Sequence, residues 1–277
     1  MDDNVGAFYI SNGELRSAET PEYVDILENR VVYEVIRIID GVPLFFEDHM
    51  ERMGNSFQAI GGKLKLSRAL LKAGIKALLE ANGSSRCNVK LTVYENQEEQ
   101  KYLIYISKSH YPGDDEITKG VRVGLLKLER QNPNAKVLNK SYKEAVAESM
   151  RSGGFFEVLL VKRDNGITEG SKSNVFFFKE GRFFTAPGSE VLKGVTRKYV
   201  LEACEAAGYE VVEALVDADS LEKVEGLFLS GTSIKVLPIS EVAGRRFASA
   251  AHPAILSVRR EYDSIVKKYI DANVNIW

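Results

Sequence analysis

Residues 136–179 read KVLNKSYKEAVAESMRSGGFFEVLLVKRDNGITEGSKSNVFFFK, and this stretch decides the fold. It opens on a lysine and runs into a segment, Tyr142 to Arg151, suited to a helix. The apolar run FFEVLLVKR then reads as a strand. An acidic residue follows in a Thr168-Glu169-Gly170 turn, and Ser173-Asn174-Val175 enters the next strand. NVFFFKEGRFFTA closes as a hairpin with Lys179-Glu180-Gly181 at its tip. Further on, Thr196 to Ala207 reads as a helix ending at Gly208, a residue suited to the position after a helix end. EGLFLSGTSIKVLPI gives two short strands around a Ser-Gly-Thr-Ser turn. A last helix starts near Pro253, which fits a first helical turn.

Upstream, paired strands precede helices. FYISNGELR carries Asn12-Gly13 between short flanks, a hairpin signal, and VVYEVIRIIDGVPLFF repeats the device with Asp40-Gly41. Met50, Met53, Phe57 and Ile60 recur at three- and four-residue spacing, so Glu47 to Ile60 is helical. Ser67 caps a second helix running to Ala81. NVKLTVYENQEEQKYLIYIS is another hairpin with a polar turn. Residues 107–120, SKSHYPGDDEITKG, are charged, hold Pro and Gly and lack apolar periodicity, which reads as a linker.

A chain of 277 residues has ample material for one large or two ordinary domains. Its net charge of −2 gives no electrostatic argument for nucleic acid or an anionic membrane as partner. No apolar run approaches the ~20 residues needed to span a bilayer. Cys87 and Cys204 are far apart, so no disulfide framework is expected and the cytoplasm is the simplest setting. The acidic start, MDDNVGAFYISNGE, lacks the order of a signal peptide. His49, His110 and His252 are scattered without metal-ligand spacing, so no metal site is expected.

K-V-L-N at 136–139 and T-E-G-S-K-S-N-V-F at 168–176 resemble the lysine motif and second motif of the class IV (fold type IV) aminotransferases. That family uses pyridoxal 5′-phosphate and includes branched-chain and D-amino-acid aminotransferases and aminodeoxychorismate lyases. The resemblance runs from about Tyr9 to Pro238. It implies an α+β, two-domain fold: an N-terminal α+β sandwich over 1–109, a linker over 110–120 and a C-terminal, barrel-like α/β domain over 121–277 that binds the cofactor.

The chemistry needs an amine that forms a Schiff base with the cofactor aldehyde and then moves a proton between substrate Cα and cofactor C4′. Spacing alone leaves Lys136, Lys140 and Lys143 open; the resemblance assigns the role to Lys136. A carboxylate must hold the proton on the pyridine nitrogen, and Glu169 matches the family's residue for it. A phosphate dianion asks for free N–H groups at a helix start and a guanidinium fork. LKGVTRKYV offers Val195 and Thr196 behind Gly194, and FLSGTS offers Gly231 and Thr232, both at family positions. Arg52 in EDHMERM matches the arginine that reaches the phosphate. Leu192 is implied to pack on the ring face.

The substrate side departs from the family. DILENR stands where members carry Gly-rich sequence, although Tyr33 still matches the aromatic residue near the substrate. Tyr94 occupies the position of the arginine in Thr-Arg-Gly, so a common carboxylate anchor is absent. Strand alternation puts Asn88, Lys90, Thr92 and Tyr94 on one face. Lys90 is therefore either a replacement cation or a solvated surface lysine. Lys235 replaces the acid usual after Ser-Gly-Thr, and Ser141 and Tyr142 are both candidates to meet the cofactor's O3′. Three functions follow: an aminotransferase acting on an amino acid and a 2-oxo acid, a lyase releasing pyruvate, or a cofactor-binding protein without turnover. The resemblance implies a homodimer, and VVYEVIRII reads as an apolar strand that a twofold partner would cover.

Overall fold

A computed structural model of the chain describes residues 3–19, 31–96, 99–130 and 132–277. The DILENR departure and the tip of the 87–106 hairpin lie outside them. By contacts the chain forms two compact units. The first comprises Met1–His110, Ala135–Asn139 and Val266–Trp277, and the second Tyr111–Asn134 and Lys140–Ile265.

The first unit is one sheet with two helices on one face. Its strands are β1 (Phe8–Ser11), β2 (Glu14–Ser17), β3 (Val31–Ile39), β4 (Val42–Pro43), β5 (Cys87–Asn96) and β6 (Glu99–Ile106). Their order is β2-β1-β6-β5-β3-β4, antiparallel throughout. Both dipeptide turns form, with Asn12 and Asp40 at φ 50° and 53° followed by Gly13 and Gly41 in the positive-φ region. Helix α1 (Phe46–Ala59) buries Met50, Met53 and Phe57. Helix α2 (Arg68–Ala81) starts where the Ser67 hydroxyl accepts from Leu70 N–H at 3.2 Å. These helices cover Val32, Ile36, Ile38, Val89, Leu91, Val93 and Ile104. Each such fully buried apolar side chain is worth about 1.5–3 kcal/mol relative to exposure. The opposite face holds a second cluster of Tyr9, Val31, Tyr94, Leu103 and Tyr105, with Leu138 packed on it.

Strand β3 has two unequal faces. Val32, Glu34, Ile36 and Ile38 alternate onto a buried face, whereas Tyr33, Val35, Arg37 and Ile39 on the other face are half-buried. Lys90 is not a solvated lysine, being 8 % exposed.

The second unit opens with α3 (Asp114–Lys119), so the segment read as linker carries a helix, followed by β7 (Val121–Lys127). Helix α4 (Lys140–Gly153), β8 (Glu157–Val161), β9 (Gly166–Gly170), β10 (Asn174–Lys179) and β11 (Arg182–Thr185) follow. Then come α5 (Val195–Ala206), β12 (Val211–Glu213), β13 (Val216–Asp217), β14 (Gly226–Gly231), β15 (Lys235–Val242), β16 (Arg245–Arg246) and α6 (Pro253–Asn273). One sheet runs β12-β11-β10-β14-β15-β7-β8-β9-β13, with β16 on β15. Thr168-Glu169-Gly170 is therefore the end of a buried strand rather than an exposed turn. Pairing of β9 with β8 and β13 overrides the local turn signal, because both partners lie outside the segment. The lysine-bearing residues 135–139 count with the first unit, though the sequence places them in the C-terminal domain.

Candidate active site

In the first unit, Lys136 is fixed through its backbone. Its carbonyl accepts from Tyr33 N–H at 3.1 Å, and its own N–H donates to the Ser56 hydroxyl at 3.1 Å. Val137 bridges Val32, and Leu138 N–H donates to the Val31 carbonyl at 3.1 Å. The start of β3 thus holds the lysine segment, and the Lys136 ammonium lies 4.8 Å from the centre of the Tyr33 ring. Tyr33 and Lys136 are thereby brought together.

Arg52 is engaged by a buried carboxylate. Its Nε donates to Glu34 Oε1 at 2.8 Å, and Nη2 donates to Oε2 of the same carboxylate. His49 Nδ1 meets Glu34 Oε2 at 2.7 Å. Glu34 is fully buried, and burial alone would push its carboxyl up. The adjoining Arg52 guanidinium, helped by the His49 ring, outweighs burial and holds it at about 2. Burial pushes the His49 ring down, against its bond to Glu34, with Arg52 and Lys136 adding to the fall. The signal for this triad is in the sequence: Val32, Glu34, Ile36 and Ile38 alternate onto the core face, so Glu34 needs a buried cation. An i, i+3 His-Arg pair on α1 supplies it.

Of the remaining substrate candidates, Tyr94 is 5 % exposed within the aromatic cluster. Lys90 is bound to Asp3 at 2.8 Å.

In the second unit, Glu169 is 3 % exposed. Oε1 accepts from Arg130 Nη1 at 3.1 Å, while Oε2 accepts from Asn174 Nδ2 at 3.3 Å and Leu192 N–H at 3.1 Å. Asn174 is a hub. Its Nδ2 also donates to the Leu192 carbonyl at 3.0 Å, and the residue pairs with Ser230 across β10 and β14. A Cβ at Gly194 would sit 2.3 Å from Asn174 Oδ1, so only glycine lets α5 begin there. One side chain thereby ties Glu169, Leu192, the start of α5 and the strand leading to Gly231.

Helix α5 starts with no side-chain cap at Gly194, leaving Val195 and Thr196, each 5 % exposed, with the unsatisfied N–H groups of a helix start. Such a terminus favours an anion. Arg197 fastens the turn, donating to the Ala186 carbonyl and to Glu213 at 2.9 Å each. Thr196 shares a hydroxyl hydrogen bond with Tyr262, whose phenol burial pushes upward. Gly231 ends β14 with Thr232 after it. The Ser230 hydroxyl beside them is buried without a hydrogen-bond partner among the described residues. Lys235 instead binds Asp263 of α6 at 2.6 Å.

Tyr142 donates to the Ser171 carbonyl at 2.8 Å, and the Arg130 guanidinium lies over its ring at 5.8 Å. Beneath this loop, Glu157 accepts from Lys172 N–H at 2.7 Å and from the Ser173 hydroxyl at 3.0 Å. Burial pushes its carboxyl up. The sequence reading missed Arg130, which stands in a stretch with no periodicity. Asn174 lies inside the second motif, yet sequence alone assigned it no task.

Among the described residues no helix is long and apolar enough to cross a membrane, and no group of His, Cys, Asp and Glu could hold a metal ion. Cys87 and Cys204 are both buried free thiols.

The family model of amino-transferase class IV matches residues 31–242. D-alanine aminotransferase of Bacillus licheniformis is 28 % identical over 231 residues, covering 79 % of this chain and 81 % of its own length. Branched-chain-amino-acid aminotransferase of Pseudomonas aeruginosa is 23 % identical over 263 residues, covering 87 % and 86 %. Among solved structures, a T.th. branched-chain amino acid aminotransferase with pyridoxamine 5′-phosphate superposes with a TM-score of 0.84. It is 22 % identical, over 96 % of this chain and 97 % of its own. The branched-chain aminotransferase of Thermoproteus uzoniensis, solved with norvaline, gives 0.84 at 22 % identity over 96 % and 98 %.

Proposed function

The chain belongs to the class IV aminotransferases, and from that membership we propose how its residues divide the work. It is a pyridoxal 5′-phosphate-dependent enzyme that moves an amino group between an amino acid and a 2-oxo acid. Three features of the second unit fit the cofactor. Glu169 is a buried carboxylate, α5 starts without a cap, and the Ser230 hydroxyl is buried and unpartnered beside the Gly231-Thr232 turn. Bound, the cofactor supplies an aldehyde that takes up the amino group and a pyridine ring that accepts electrons.

In this reading Glu169 keeps a proton on the pyridine nitrogen. Its bonds to Arg130, Asn174 and Leu192 favour the ionised form and fix its direction. Val195 and Thr196 N–H groups, with Gly231 and Thr232, take the phosphate, and Leu192 packs on the ring. Arg52 offers the phosphate the donors that Glu34 does not use. The Lys136 amine would hold and move the proton at the substrate α-carbon. The Tyr33 ring beneath it limits where that ammonium can go. Buried Glu169 in its donor set is the observation that carries this reading.

We favour transfer over elimination because the relatives above are aminotransferases by name. The intact cofactor set speaks against a protein that only binds. We place the enzyme in the cytoplasm, acting on free amino acids as a homodimer, as membership in this family suggests. The test is a panel of L- and D-amino acids, each with pyruvate or 2-oxoglutarate, scored for the new amino acid. At least one pair should turn over, with activity dependent on added pyridoxal 5′-phosphate. Turnover of no pair by protein that holds the cofactor would overturn the transfer reading.

A further inference from the structure

A second buried carboxylate of the second unit stands at the head of β8. Alternation gives Glu157, Leu159 and Val161 one face, and the two apolar residues belong to the core of that unit. Glu157 is 4 % exposed. An acid in such a place needs an answering charge or a set of donors. Glu34 is answered by Arg52, and Glu169 by Arg130. Glu157 forms no ion pair among the described residues. The Lys172 ammonium, on an exposed side chain, adds only a weaker attraction.

Its donors come from three consecutive residues of one loop. Lys172 N–H donates to Oε1 at 2.7 Å, the Ser173 hydroxyl at 3.0 Å and the Ser171 hydroxyl at 3.3 Å. All three meet the same oxygen, and Oε2 has no hydrogen-bond partner among the described residues. The chain can wrap that closely because residue 170 is glycine. A Cβ there would stand 2.6 Å from Oε1 and 2.3 Å from Ser173 Oγ. Glu169 and Asn174 flank this loop and are bonded to each other at 3.3 Å. The Ser171 carbonyl within it accepts from the Tyr142 hydroxyl at 2.8 Å. A Cβ at Gly231 would lie 3.6 Å from Ser173 Cβ, so the loop also touches the turn after β14. One oxygen of Glu157 therefore locates Glu169, Asn174 and Tyr142 together.

We propose that Glu157 is a positioning residue: by gathering residues 171–173 onto one oxygen, it aims the Glu169 carboxylate and the Tyr142 hydroxyl at the cofactor ring. The inference rests on Glu169 being the partner of the ring nitrogen. Glu157 acts through the loop and reaches the ring only by way of Glu169 and Tyr142. The role asked of it is that of an acceptor. A glutamine with its carbonyl oxygen in the place of Oε1 takes the same three donors. A leucine of similar bulk leaves all three without an acceptor.

The test follows the visible absorbance of the full-length, pyridoxal 5′-phosphate-loaded protein as pH is varied, with kcat measured alongside. A proton held on the ring disfavours another nearby, so a misaimed Glu169 raises the midpoint of that titration. Glu157→Leu should raise it by about one pH unit and lower kcat about 10- to 100-fold. Glu157→Gln should leave the midpoint in place and keep kcat within about threefold of wild type. Ser173→Ala deletes one donor and should raise the midpoint by less, which guards against a Glu157→Leu chain that does not fold. In a Glu169→Gln background, Glu157→Leu should cost little further kcat, because both changes disable one unit. The proposal is overturned if neither Glu157→Leu nor Ser173→Ala moves the midpoint. It is also overturned if Glu157→Gln is as damaged as Glu157→Leu, or if the losses at Glu157 and Glu169 multiply. Wild-type turnover by Glu169→Gln would instead remove the ring-nitrogen reading, and this proposal with it, so the two failures are told apart.

Discussion

Arg52→Ala should destabilise the protein by an amount that depends on pH. Glu34 is fully buried and held at about 2 against an ordinary 4.5. At about 1.4 kcal/mol per tenfold, that difference corresponds to about 3 kcal/mol at neutral pH. Breaking a buried pair by removing one partner costs about 3–5 kcal/mol, in agreement. The sign follows from the depressed folded value. The contribution is complete above about 4.5 and is lost as pH falls from 4.5 toward 2. In the variant, burial acts on Glu34 with only His49 against it, so its carboxyl rises and the variant gains relative stability in acid. Urea unfolding of both proteins at pH 7 and at steps below pH 5 measures the gap. We expect about 3 kcal/mol at pH 7, narrowing steadily below pH 4.5. Glu34→Gln combined with Arg52→Met should recover most of the loss, since no uncompensated charge remains buried. A gap under about 1 kcal/mol, or one that does not change with pH, would refute the reasoning. The same variant reads the second task proposed for Arg52: cofactor affinity should fall about 10- to 150-fold, and an unchanged affinity removes Arg52 from the phosphate site.

Glu169→Gln should keep the cofactor but lose about 10²-fold or more in kcat, because a neutral amide no longer holds the pyridinium proton. Turnover within a few-fold of wild type would take Glu169 out of that role. Asn174→Ala removes a donor shared by Glu169 and the Leu192 carbonyl. It should cost about 1–3 kcal/mol in unfolding experiments and also lower kcat. A loss of stability with kcat intact would make Asn174 structural only. Light scattering of the loaded enzyme should give twice the mass of one chain. An active monomer would end the homodimer proposal.

The parts legible in the sequence are those decided locally. Asn12-Gly13 and Asp40-Gly41 demand tight turns whatever surrounds them, and both hairpins form. Ser67 caps α2 with its own side chain. What the sequence hides is decided at a distance. Thr168-Glu169-Gly170 carries a turn signal, yet β8 and β13 draw it into the sheet. Lys90 and Asp3 are 87 positions apart, so alternation gave the face of Lys90 but not its partner. Arg130 stands in an aperiodic stretch that offers no reading at all. Glu34 was within reach: a lone acid on the apolar face of β3 requires a buried counter-charge, and α1 follows directly with one.

The assignment of Lys136, not Lys140 or Lys143, as the reactive amine underlies every other role proposed for the site. Loading the protein with pyridoxal 5′-phosphate, reducing it with borohydride and mapping the modified peptide by mass spectrometry tests this most directly. One stable adduct per chain is expected on the side chain of Lys136, and none in Lys136→Ala. An adduct on Lys140 or Lys143, or one that persists in Lys136→Ala, would contradict the assignment.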